Sequence, residues 1–166
     1  MTTPLTFSLS REERALYNDA FMALVCARAV QGHRMQYQQR PCPVAIAVTA
    51  AVMALQPAVR EVLPTTLNAN FPKWVGDHPA VRVLMTRSAT ALSAVVRPGL
   101  LFALQTGVLA LEPPGRLNLP GRRIPATISG ESAQVVSVQK AAYLLGRWLP
   151  SAGSTSTALT LLGVRP

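Results

Sequence analysis

The chain has 166 residues, 49% hydrophobic and only 14% charged, and its 16 Lys and Arg against 7 Asp and Glu give a net charge of +9. So few charges on so apolar a chain argue against a disordered polyelectrolyte. They argue equally against a freely soluble enzyme, whose exterior carries more charges of both signs. Two classes remain: a basic nucleic-acid binder, or a subunit whose apolar surface is covered by partners.

Ser10-Arg11-Glu12-Glu13 reads as a capping box. Leu16, Phe21, Leu24, Val25 and Ala29 then recur at helical spacing, so a first helix is predicted over 11–30 with Gly32 as its stop. A polar, Gln-rich stretch over 33–42 follows. Pro43 suits the first position of a helix over 44–56 that is apolar almost all round. Such a helix is either buried or covered by a partner, and Pro57 ends it. Leu63-Pro64-Thr65-Thr66 opens a short third helix with Leu67, Phe71, Trp74 and Val75 on one face. Pro72 makes that helix bend or begin later.

A fourth helix is predicted over 79–95, with Val81, Leu84, Met85, Ser88 and Leu92 inward and Arg82 and Arg87 on its flanks. Pro98 opens a fifth, over 98–106, which Gly107 closes. The period then changes. The apolar run 108–111, the turn Glu112-Pro113-Pro114-Gly115 and the alternating Arg116-Leu117-Asn118-Leu119 read as a β-hairpin. Helix followed by hairpin is the order at the end of a winged helix, and Arg116, Arg122 and Arg123 would decorate its wing as nucleic-acid contacts. Residues 132–149 form the last long helix, with Val135, Val138, Ala142, Leu145 and Leu149 on one face, and 157–164 a short terminal element. The expected fold is mainly α with a small β-hairpin. It forms one domain over 1–166: a helical part at 11–96, a winged-helix-like portion at 98–124 and a C-terminal helix at 132–149.

No catalytic constellation is legible. Cys26 and Cys42 are too few for a disulfide framework and read as buried free thiols. Neither His33 nor His78 stands at metal-ligand spacing, and there is no P-loop or GxGxxG. Glu12 and Glu13 diverge on a helix. No catalytic, cofactor-binding or metal-binding residue is therefore assigned. The absence of a signal peptide and of an apolar run long enough to span a bilayer points to a cytoplasmic protein. The positive charge is uneven: residues 1–79 hold seven cations and five acids, and residues 80–166 hold nine cations and two acids.

Four stretches carry a resemblance: Tyr17-Asn18-Asp19-Ala20-Phe21, Leu63-Pro64-Thr65-Thr66 followed by Trp74, Leu144-Leu145-Gly146-Arg147-Trp148, and Leu162-Gly163-Val164-Arg165-Pro166. In this order they resemble the middle component of bacterial three-component ABC systems, the accessory subunit of Lamassu-type anti-phage defence, in which Pro is common at the place of Asp19. The resemblance implies a non-catalytic adaptor between an SMC-like ABC ATPase and an effector, often a nuclease. Tyr17, Asn18, Phe21, Arg147, Trp148 and Arg165 are the partner-binding candidates. For Tyr17, Phe21 and Trp148 a core position is the competing reading, and Arg165 near the chain end could equally fray. The alternative function is a free-standing winged-helix DNA binder or regulator. The uncharged helix 44–56 discriminates, because a solitary DNA binder needs no such surface.

Overall fold

The computed structural model describes residues 18–121 and 124–165. Ser10 and the rest of the expected capping box lie outside these residues. The helix that carries Phe21 is α1, Asp19–Gln36, and its cap is Asn18, whose side-chain carbonyl accepts from the Phe21 N–H at 2.7 Å. Asp19 in the first turn suits the helix dipole. Gly32 does not stop α1. It sits inside the helix, where a Cβ would collide with the Tyr143 carbonyl. The helix closes instead through Gln38 and Gln39, both at positive φ (54° and 64°), with the Gln39 N–H on the Arg34 carbonyl at 2.8 Å. Two glutamines in the left-handed region are an unusual stop, which is why the sequence pattern misplaces it.

After β1, Cys42–Pro43, comes α2, Val44–Ala54. The apolar circumference of α2 is satisfied inside the chain, against α1, α5 and α6. Of the two expected states of this helix, burial is the one found, and its apolar surface therefore does not separate an adaptor from a DNA binder. Pro57 ends α2 only by starting α3, Pro57–Val62, where it occupies the first turn. Arg60 reaches back from α3 to cap the Ala54 carbonyl at 2.8 Å.

Residues 63–70 are not helical: of the two outcomes that Pro72 allows, the helix begins later. α4 is Phe71–Asp77, capped by Asn70, with Pro72 in the first turn where no N–H is required. Next, α5 runs unbroken over Pro79–Gln105. The sequence predicts two helices meeting at Pro98; the structure has one. A mid-helix proline costs about 3 kcal/mol, but Val96, Gly99, Leu100 and Ala103 immediately around it are buried. At Gly99 the helix rides so close to Met22 and Ala23 of α1 that a Cβ would not fit. Packing of one face outweighs the lost hydrogen bond.

The expected hairpin is present as β2, Ala110–Glu112, and β3, Arg116–Asn118. β1 adds a third strand, giving the antiparallel order β1-β3-β2 with Cys42 and Leu111 both opposite Leu117. α6, Ala133–Trp148, is capped by Ser132. A 3₁₀ turn, Leu149–Ala152, leads to α7, Thr155–Leu161. The core is built on α1, which lies between α5 and α6. Gly32 and Gly146 bring α1 and α6 together: each lacks a Cβ that would strike the other helix's backbone, at Tyr143 and Ala29 respectively. Among the described residues, no helix is long and apolar enough to cross a membrane.

Candidate interaction surfaces

The expected partner-binding residues do not gather in one place. Tyr17 lies outside the described residues. Asn18 is exposed but spends its amide oxygen on the cap of α1, and Phe21 is half-buried against the core. Arg147, on the last long helix, lies against the other end of α1. Its Nε and Nη2 donate to the Gln36 Oε1 at 3.4 and 3.2 Å, its guanidinium lies 5.7 Å from the Tyr143 ring centroid, and its carbonyl accepts from the Tyr37 hydroxyl at 3.0 Å. Fifteen residues of helix separate Phe21 from Gln36, about 22 Å of axial rise. Arg165 is exposed beyond α7.

Trp148 is fully enclosed, so none of its surface is open to a partner. Its indole stands edge-on to both Phe71 and Trp74, each 5.0 Å away at 78°. Its Nε1–H donates to the Ala69 carbonyl at 2.9 Å, and the Trp74 Nε1–H donates to the Val62 carbonyl at 2.8 Å. Two tryptophans thereby bracket the irregular stretch 63–70. The sequence motifs at 63–66, 74 and 144–148 are thus joined in space: one supplies a loop, and the other two supply the indoles that hold it.

Of the three wing arginines, Arg116 is exposed on β3, its Nη1 3.5 Å from the Pro41 carbonyl. Arg122 and Arg123 lie outside the described residues. The chain on either side of them is held by two arginines that the sequence reading did not single out. Arg34 donates to the Leu119 carbonyl at 2.7 Å. Arg28, buried within α1, donates to the Pro125 carbonyl, to the Gln31 Oε1 at 2.9 Å and to the Gln139 Oε1 at 3.0 Å. Burial lowers the Arg28 pKa, with no carboxylate among these contacts to offset it. The one available signal is a cation inside the otherwise apolar run 20–30, which marks either a functional site or a buried polar tie; here it is a tie.

α5 presents a different surface. Its outward line, Val83, Arg87, Thr90, Ala94, Arg97 and Leu101, is exposed throughout. Val83 is 50% and Leu101 57% exposed, and Phe102 beside it 40%. The sequence places Arg82 and Arg87 on the flanks, and both are exposed. Leu101 and Phe102 carry no signal in the sequence, where Pro98 reads as a boundary between two helices.

The chemistry of the remaining groups is quiet. An open groove of about 600 Å³ runs between Arg60–Pro64 and the start of α6, and its polar lining is Arg60, Glu131, Ser132, Ser137 and Lys140, with no imidazole or thiol. Burial pushes the thiols of Cys26 and Cys42 up to about 12, so both stay protonated and are poor nucleophiles. His33 is buried, with Nδ1 3.3 Å from the Arg40 carbonyl; burial lowers its pKa, the Arg40 carbonyl works against that, and the Arg116 charge adds to it. Among the described residues, no three His, Cys, Asp or Glu side chains gather as metal ligands.

The family model described as ABC-three component (ABC-3C) system Middle Component 3 matches residues 7–166. Neither the curated proteins nor the solved structures gave a match. A match over nearly the whole chain, with the motif residues locked into one another by Trp74, Gly146 and Trp148, makes this chain a member of the middle-component-3 family of ABC-three component systems.

Proposed function

We propose that this protein is the non-catalytic adaptor of a Lamassu-type anti-phage defence complex in the cytoplasm, joining an SMC-like ABC ATPase to an effector, often a nuclease. The match to a middle component over residues 7–166 carries this reading. Exposed apolar side chains on α5, and exposed cations with few acids beside them, support it. In this role the protein contributes surfaces rather than reacting groups. The test is assembly: the purified chain is mixed at micromolar concentration with the ATPase and the effector of the same system and analysed by light scattering after gel filtration. Co-migration with both is expected, and a chain that stays monomeric beside both overturns the adaptor role.

A second reading, direct DNA contact within the complex or by the chain alone, is favoured by one observation. The strand order β1-β3-β2 with a helix entering β2 is compatible with a winged-helix-like portion, and Arg116 is exposed on the hairpin. Phosphate contacts make affinity fall steeply with salt. A gel shift at two salt concentrations, with Arg116→Glu and with the double variant Arg122→Glu, Arg123→Glu, checks it. Loss of binding in the variants supports the contact, and no binding by the native chain at low salt rejects it.

A further inference from the structure

We infer that the outer face of α5 is the docking surface for an acidic amphipathic helix of a partner subunit. The inner face of α5 is spent on the core: Val81, Met85, Val96, Gly99, Leu100 and Ala103 are buried. The outer face repeats with a different regularity. Val83, Arg87, Thr90, Ala94, Arg97 and Leu101 are spaced four, three, four, three and four residues apart, and every one is exposed. This is the spacing by which two helices keep a continuous seam. Apolar side chains stand at its two ends, Val83 and Leu101, with Phe102 beside the second. The small residues Thr90 and Ala94 stand at its middle, where a second helix can approach closely.

Charge selects the occupant. From residue 79 to residue 111 the chain carries Arg82, Arg87 and Arg97 and no Asp or Glu. Among the described residues, Arg87 and Arg97 make no ion pair; the one salt bridge is Lys73–Asp77 at 2.8 Å. They stand ten residues apart, about 15 Å along the axis, so the fitting partner is a helix whose seam carries two carboxylates about ten residues apart, with apolar side chains beyond each to meet Val83 and Leu101. A second copy of this chain does not fit. Paired parallel, each arginine meets itself; paired antiparallel about residue 92, Arg87 meets Arg97. Duplex DNA fits poorly as well. It presents a phosphate charge about every 1.7 Å of axis, against which three arginines spread along this helix are sparse. Its backbone also offers nothing to Val83, Leu101 and Phe102.

The identity of the partner rests on the adaptor reading, so the experiment separates the two. The full chain, the double variant Arg87→Glu, Arg97→Glu, and Ala94→Trp are each titrated against the purified ATPase, the purified effector and a 30-base-pair duplex, with thermal melts as a control of folding. The double variant is expected to melt with the native chain and to bind one of the two protein partners about tenfold more weakly or worse. Ala94→Trp, which blocks close approach without changing charge, is expected to weaken the same partner. Native-like binding of both partners by both variants overturns the docking surface while leaving the adaptor role standing. Loss confined to the DNA duplex assigns the face to nucleic acid and overturns it too. If the native chain binds neither protein, the adaptor reading falls and takes this surface with it.

Discussion

The α1–α6 crossing and the outer face of α5 both draw on Ala, Leu and Arg, to opposite ends. At the crossing, Gly32 and Gly146 remove the side chains that would hold two backbones apart, and the interface is filled within the chain. On α5 the small residues Thr90 and Ala94 are just as accommodating, yet both are exposed, with none of the described residues covering them. The arginines divide the same way. Arg28 is buried and tied to Gln31, Gln139 and the Pro125 carbonyl, whereas Arg87 and Arg97 point outward without a counter-ion among the described residues. Residue type alone does not separate a fold-building surface from a binding one; what lies against it does.

The sharpest way to break this contrast is on the inner side. Trp148→Ala removes the ring that Phe71 and Trp74 pack against and frees the Ala69 carbonyl, and it is expected to cost about 4 kcal/mol in urea or thermal unfolding. Gly146→Val drives a side chain into the Ala29 carbonyl and is expected to cost about 3 kcal/mol or to prevent folding. Ala94→Val on the outer face of α5 makes a comparable change of volume and should stay within about 0.5 kcal/mol of the native chain. Arg28→Ala leaves the Gln139 amide and the Pro125 carbonyl short of a donor, an expected loss of about 2 kcal/mol. Asn18→Ala removes the cap of α1, about 1 kcal/mol by the same measurements.

The smallest expected effect is a dependence on pH. The folded His33 binds its proton less readily than the unfolded one, because burial disfavours the imidazolium. The unfolded state therefore takes up the proton first as pH falls. The contribution of His33 to stability is full above 6.5, the ordinary imidazole value, and declines below it. Urea midpoints at pH 8 and pH 5.5 should differ more for the native chain than for His33→Gln. Equal differences would place the pH dependence elsewhere.

Much of the helical order was legible because it rests on local signals. The hairpin, the long helix from 132 and the inward positions Val81 and Met85 follow from alternation, capping and helical spacing. The errors share a cause. Gly32 and Pro98 read as helix boundaries, but tertiary contact decides what each does. Gly32 and Gly99 serve a close helix approach, Pro57 and Pro72 begin helices, and Pro98 is carried by the packing around it. β1 was invisible because two residues ending in proline carry no strand pattern. Among the site candidates, Trp148 was recognisable as special, but the sequence left open whether the indole faced a partner or the core. The outer face of α5 was hidden by the break assumed at Pro98, which split its seam into two short helices.

The division between a face that builds the fold and a face that binds is tested most directly by hydrogen–deuterium exchange on the full chain, free and assembled with the ATPase and effector. New protection is expected along residues 79–105, with the interior of α1 and α6 already protected and unchanged. Assembly that leaves residues 79–105 exchanging as in the free chain, with new protection falling elsewhere, would contradict it.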